Sequence, residues 1–316
     1  MFILEAKFSK WEQDGKTVAG GNGDGSAINQ LSAPLGIYVD QKKNIYIADR
    51  LNHRIVKWKP NENQGTIVAG ENQTPAPISG GVLMNGNRTD RLYRPSDVIV
   101  DEQTNSIIIA ENGNRRVIQW FNESRQEYLI ANIRCSGMAK DKYGFLYVSD
   151  TEKSEVRRWK MGEFNGKEGT LVAGGNRFGN QLNQLNQPEF IFVDDEQSIY
   201  VSDVQNHRVM KWAKGAKEGI IVAGGNGYGD KLNQFFYPSG LFVGAQGEIY
   251  IADKYNHRIM RWKKGEKEGE IIVGGNGKGN QTNQLENPSA LLLDPEGNLY
   301  VSDCGNHRIQ KFDLIS

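Results

Sequence analysis

Short runs of apolar, β-branched and aromatic residues alternate with Gly-, Asn- and Asp-rich turns along the chain. From Pro238 the sequence reads PSGLFVGAQGEIYIADKYNHRIMRWKKGEKEGEIIVGG. No helical period appears in it. Four strand-like runs, GLFV, EIYIAD, HRIMRW and EIIVGG, are separated by turn residues. The block recurs. NHRIVKW begins at Asn52, NRRVIQW at Asn114, NHRVMKW at Asn206, NHRIMRW at Asn256 and NHRIQKF at Asn306, with a degenerate copy, KSEVRRW, at Lys153. An acid stands three positions before each: Asp49, Glu111, Asp150, Asp203, Asp253 and Asp303. The last three acids are 50 residues apart, and a repeat of that order signals a propeller or a solenoid.

Counting strands decides between the two. Six first strands follow Pro34, Pro95, Cys135, Pro188, Pro238 and Pro288, and each leads into a second and a third strand. Fourth strands begin at Thr66, Glu127, Thr170, Ile220 and Glu270, and the chain ends soon after Phe312 without another. The missing strand is TVAGG, at Thr17. The expected fold is therefore all-β. It is a six-bladed β-propeller of four-stranded antiparallel blades, one domain over residues 1–316, with an N-terminal outer strand near 16–20 completing the last blade. Such closure removes sheet edges that would otherwise need protection.

Side chains alternate along a strand. In the third strands Ile55, Val117, Val156, Val209, Ile259 and Ile309 share one face, while Trp58, Trp120, Trp159, Trp212, Trp262 and Phe312 end the other. A stripe this regular predicts inter-blade core; Trp11 stands outside it. Ala48, Ala110, Ser149, Ser202, Ala252 and Ser302 form a ring of small residues before the acids, which lets blades approach closely. Each acid suits the turn that follows it, and the Arg beside it suits an ion pair. The constellation resembles a catalytic one, but it appears six times, and one centre needs only one. All four histidines, His53, His207, His257 and His307, lie inside the motif. That leaves none for a unique Ser-His-Asp arrangement and spreads them too widely to converge on one zinc. The Gly-rich stretches at Gly20, Gly174, Gly224 and Gly274 mimic a phosphate loop. A strand rather than a helix follows each, so turns needing positive φ explain them better.

Composition changes this picture little. Lys plus Arg and Asp plus Glu are both 38, so the formal net charge is zero, unlike the basic excess of most nucleic-acid binders. Cys135 and Cys304 make no disulfide framework. No apolar run approaches the about 18 residues that span a membrane. The start, MFILEAKFSK, is too short in apolar residues for a signal peptide. Sequons at Asn72, Asn87, Asn122 and Asn280 fit a secreted protein if a leader was removed; the compartment is otherwise left open.

The D-x-x-N-H-R-[IV]-x-[KR]-[WF] pattern, repeated from about Lys16 to Phe312, resembles the NHL repeat family of six-bladed propellers. The Gly-Asn-rich linkers are similar to those of expanded stand-alone members in small invertebrates such as rotifers. The resemblance implies a scaffold that presents a face to a ligand. It also brings in enzymes. Peptidyl-hydroxyglycine amidating lyases share the repeat pattern and carry zinc histidines just after the leading Pro of inner strands. Here those positions are Leu35, Ser96, Ser136, Glu189, Ser239 and Ser289, none of them His. Paraoxonase- and strictosidine-synthase-like propellers use acids or amides around the channel, and Glu189 is the one acid offered. No cofactor is expected; calcium, structural or in the channel, is the ion this resemblance leaves open. Some NHL propellers bind single-stranded RNA on a basic face, which the balanced charge disfavours.

Function in a repeat scaffold belongs where the repeats differ. Antiparallel strand order places the acid-to-NHR turns, the Gly-Asn linkers and the starts of the inner strands on one face. There, one linker is expanded, ENQTPAPISGGVLMNGNRTDRLYRP, and the next, IANIRCSG, is almost deleted. A tall wall beside a missing wall predicts a notch near the second and third blades, with Arg88, Arg91, Tyr93 and Arg94 as binding residues. The channel mouth, Ser96, Ser136, Glu189, Ser239 and Ser289, is the second candidate, with the FFYP aromatics from Phe235 nearby. The expectation is a monomeric, non-enzymatic binding scaffold for a protein or peptide. A small molecule is the lesser alternative, a channel metal hydrolase or lyase another, and single-stranded RNA the last.

Overall fold

The computed structural model describes residues 10–70, 78–79, 82–83, 91–122, 125–164 and 166–315. Six four-stranded antiparallel sheets form the blades of a propeller, and a two-stranded hairpin, Ile78–Ser79 with Val82–Leu83, lies in the expanded linker. The first blade shows the pattern: Pro34–Val39, Ile45–Asp49, Arg54–Trp58 and Thr66–Gly70, innermost to outermost. Closure is by the N-terminal strand. Lys16–Gly20 pairs antiparallel with Arg308–Phe312, Lys16 opposite Lys311 and Gly20 opposite Arg308, with a bulge between Thr17 and Ala19. Trp11 extends the closure. It bridges to Leu314, donates its indole N–H to the Gly297 carbonyl at 2.8 Å, and packs edge-on against Tyr250 of the fifth blade.

Both faces of the third strands are buried, as a blade sandwiched between neighbours requires. Ile55, Val117, Val156, Val209, Ile259 and Ile309 are fully buried, and so nearly are the five tryptophans and Phe312 on the other face. Several indoles also fix the following loop: Trp58 donates to the Glu62 carbonyl and Trp262 to that of Glu266. The small-residue ring is fully buried. Its serines tie blades together, with Ser149 donating to the Glu189 carbonyl at 2.6 Å, Ser302 to that of Pro34 at 2.9 Å, and Ser202 to that of Ser239.

The inner strands carry a bulge just after their leading residue. Pro34 faces Asp49, but Ile37 faces Ile47. At the bulges of the third and fifth blades the next blade comes too close for a side chain: a Cβ on Gly137 would lie 2.7 Å from the Glu189 carbonyl oxygen, and one on Gly240 2.5 Å from that of Ser289. The second blade places Asp97 at this position. Its carboxylate is buried against Gly36 of the first blade and accepts the Met138 N–H of the third blade at 2.8 Å and the Val98 N–H at 2.9 Å. With no cation among these partners, burial lifts its pKa to about 7.

Candidate binding face

The repeated polar residues form a clamp on the linker that precedes each blade. In the fifth blade one oxygen of the buried Asp253 accepts the Phe236 N–H at 2.7 Å. The other accepts Asn256 Nδ2 at 2.8 Å and Arg258 Nε at 2.7 Å. Asn256 also donates to the Gly229 carbonyl, and the Arg258 guanidinium holds the carbonyls of Asp230, Lys231 and Gln234. The same set recurs around Asp49, Asp203 and Asp303, through Arg54, Arg208 and Arg308. Burial pushes these carboxyls above their ordinary value, against the pull of the Asn and Arg donors. A buried charge of this kind is tolerated only when paired and hydrogen-bonded.

The histidines latch the next blade. Each takes the left-handed conformation, with φ of 53–56°. Its Nδ1 accepts the backbone N–H of the residue before the next leading Pro: His53 from Arg94, His207 from Tyr237, His257 from Asn287 and His307 from Ala33. An imidazole that accepts at Nδ1 is neutral and protonated at Nε2, and burial accordingly lowers the pKa of His53, His207 and His257.

The Gly-Asn linkers fold on themselves. Asn226 donates to the Asn233 carbonyl at 2.9 Å, Gln234 donates back to that of Asn226 at 3.0 Å, and Tyr228 bridges to Phe235. The linkers at 22–31, 176–185 and 276–285 repeat this. Gly224 opens its linker at φ +70°, where a Cβ would meet the His207 carbonyl oxygen at 2.7 Å.

This geometry explains the degenerate third copy. The linker before the third blade is the deleted one, so there is nothing to clamp. Asp150 instead accepts the N–H groups of Glu152 and Lys153 in its own turn, and Glu155, at the Arg position, pairs with Arg157. Arg115, at the His position of the second blade, forms an ion pair with Glu152 across the gap.

Of the notch residues, Arg88 lies outside the described residues. The other three converge on the first two blades. Tyr93 is half-buried, donates its N–H to Glu111 at 2.5 Å, and stacks on His53 with ring centroids 5.0 Å apart. Arg94 is exposed and lies over the Tyr93 ring at 5.5 Å. Arg91 is half-buried, and its carbonyl accepts from Arg116. At the positions expected to line the channel mouth, three serines bond within the scaffold. Ser96 is buried and donates to the carbonyls of Ala110 and Cys135; Ser289 is buried and donates to that of Pro34 at 3.1 Å. Ser239, also buried, donates to the Glu189 carboxylate at 2.9 Å. Ser136 and Glu189 remain partly exposed.

An aromatic cluster that the repeat pattern does not reveal crosses blades four and five. Phe235 is fully buried against Trp262, but its neighbours Phe236 and Tyr237 are half-buried on the linker face. Tyr255, Tyr228 and His207 join them there.

The NHL repeat model matches residues 31–58, 235–261 and 285–312, in the first, fifth and sixth blades. The chain is 29% identical over 100 residues to NHL repeat-containing protein 2 of Bos taurus; the match spans 31% of this chain and only 13% of the bovine protein. A protein of unknown function from Bacteroides thetaiotaomicron is structurally similar, with a TM-score of 0.72 at 16% identity over 97% of this chain and 77% of that one. So is an auxiliary nutrient binding protein from the same organism, with a TM-score of 0.69 at 16% identity over 98% and 77%. These solved structures share the fold. With three blades matched by the NHL repeat model and six built on one ring, the chain is a six-bladed β-propeller that carries NHL repeats.

Proposed function

We propose that this propeller is a non-catalytic binding module that presents its linker face to a protein or peptide partner. One observation carries the reading. The polar groups that look chemical are consumed by the scaffold, carboxylate by Asn and Arg, guanidinium by linker carbonyls, and imidazole Nδ1 by the next blade. What remains distinctive is what breaks sixfold symmetry, and Tyr93 and Arg94, at the junction of the first two blades, belong to it. An exposed Arg over an aromatic ring is a common anchor in protein interfaces. The test is affinity capture on the immobilised wild-type chain and on Tyr93→Ala/Arg94→Ala, quantified by mass spectrometry. A partner retained by the wild type and lost by the double variant is expected. Identical profiles would sink the reading.

The partly exposed Glu189 at the channel mouth favours a second reading, a small ligand or ion held there. Stoichiometric zinc or calcium in the purified protein would favour that alternative. A salt-sensitive gel shift with single-stranded RNA would favour the nucleic-acid one.

A further inference from the structure

The aromatic cluster on blades four and five is not demanded by the scaffold. Phe236 occupies the position of Ser32 and Glu286 in the neighbouring clamps, since each donates its N–H to the motif acid. Tyr237 occupies the position of Ala33 and Asn287, which bond the preceding histidine in the same way. Tyr228 occupies the position of Asp24 and Lys278 in the linker bridges. Small or polar side chains therefore serve the fold equally well at all three places. Yet here aromatic rings converge from three separate segments. Phe236 touches Tyr228 at 5.8 Å, Tyr237 at 5.5 Å and Tyr255 at 5.3 Å, and the planes are inclined by 39–66°. Tyr228 is 70% exposed and Tyr255 42% exposed. The result is an uneven aromatic surface open to solvent.

Several hydrogen-bond donors are fixed around it, beside tyrosine hydroxyls that can donate or accept. His207 accepts the Tyr237 N–H at Nδ1, which leaves its Nε2–H as a donor beside the rings. Tyr237 gives its hydroxyl proton to Gln205 Oε1 at 3.0 Å, and Gln205 Nε2 donates to Gln187 Oε1 at 2.8 Å. That relay occupies the amide oxygens and leaves the amide N–H groups of the exposed Gln187. The Lys254 ammonium lies 5.8 Å over the Tyr255 ring. A surface of tilted aromatic rings rimmed by donors complements a ligand with flat apolar rings and carbonyl acceptors but few donors. Proline-rich peptide in the polyproline II conformation has this chemistry: its carbonyls are unpaired, its prolines lack N–H groups, and it is ordered before it binds. A sugar or a nucleobase also stacks on aromatic rings, but each brings donors of its own that call for acceptors on the protein.

We propose that Tyr228, Phe236, Tyr237 and Tyr255 form a docking surface for a proline-rich segment of a partner protein, whose carbonyls are met by His207 and Gln187. This rests on the reading of the linker face as a protein-binding surface and adds a second contact to the one at Tyr93 and Arg94.

The test is a binding titration of the whole chain with a synthetic peptide of about ten prolines, beside a glycine–serine peptide, a neutral hexasaccharide and an oligouridylate. Saturable binding of the proline peptide is expected. It should weaken by at least about ten-fold in Tyr228→Ala and in Tyr255→Ala and stay unchanged in Tyr93→Ala. Both tyrosines are exposed, so unfolding midpoints equal to the wild type are expected alongside. No saturable binding of the proline peptide, binding that survives both substitutions, or preferential binding of the saccharide or the RNA would overturn the proposal. Loss of this inference alone would leave capture through Tyr93 and Arg94 intact, whereas failure of the broader reading would show as identical capture profiles for the wild type and Tyr93→Ala/Arg94→Ala.

Discussion

At Asp253 a single carboxylate meets an amide, a guanidinium and a backbone N–H, all within 2.8 Å. The group is buried and fully engaged, so its chemistry is spent on geometry. At Asp97 a buried carboxylate is met by backbone N–H groups and not by a cation. Its folded pKa of about 7 lies above the ordinary value, so the folded state holds this proton more tightly than the unfolded chain. Its contribution to stability is fully present below pH about 4 and is lost as pH rises through about 7. The slope is at most about 1.4 kcal/mol per pH unit. Asp97→Asn mimics the protonated form. Urea unfolding of both chains should show the wild type losing stability relative to the variant across that window and a constant difference above it. A difference that does not change with pH would refute the assigned burial of this charge.

At the scale of the element, the linker is the unit that the motif serves. Its backbone carbonyls lie 24–28 residues upstream of the Arg that holds them. The recurrence of Asn, His and Arg is therefore visible in the sequence, but the direction in which they reach is not. Their loss at Lys153 follows from the missing linker that those residues would have held. The serines after the leading prolines can be picked out in the sequence, but not the bulge that turns Ser96 and Ser289 into neighbouring carbonyls. Only the glycine two residues beyond Pro34, Cys135 and Pro238 hints at it. The linker geometry makes its own prediction. Gly224 and Gly227 both have positive φ, near +70° and +76°, but a Cβ meets backbone only at Gly224. Gly227→Ala should cost about 1 kcal/mol for the left-handed backbone. Gly224→Ala should cost more, through displacement of the His207 carbonyl, read as a lower urea midpoint at unchanged slope. Equal midpoints would mean that the linker is not held against the motif.

Across the whole molecule, ring closure and blade number were readable because every blade repeats the same burial on both faces, and five fourth strands required a sixth from the N-terminus. The asymmetric surface was readable only in part. FFYP announced Phe236 and Tyr237, but Tyr228, Tyr255 and His207 arrive from other segments, and only the fold brings them together. A scaffold that spends its conserved-looking chemistry on itself and varies only at its surface is suited to recognition. That division between a structural motif and a variable face is the core of the account. Urea unfolding of Arg54→Ala, Arg208→Ala, Arg258→Ala and Arg308→Ala tests it most directly. Each substitution strands a buried carboxylate and frees a linker, so all four should lose a similar amount, about 3–5 kcal/mol. Near-neutral stability in these variants, within about 1 kcal/mol of the wild type, would contradict the clamp and return the motif to the list of candidate functional sites.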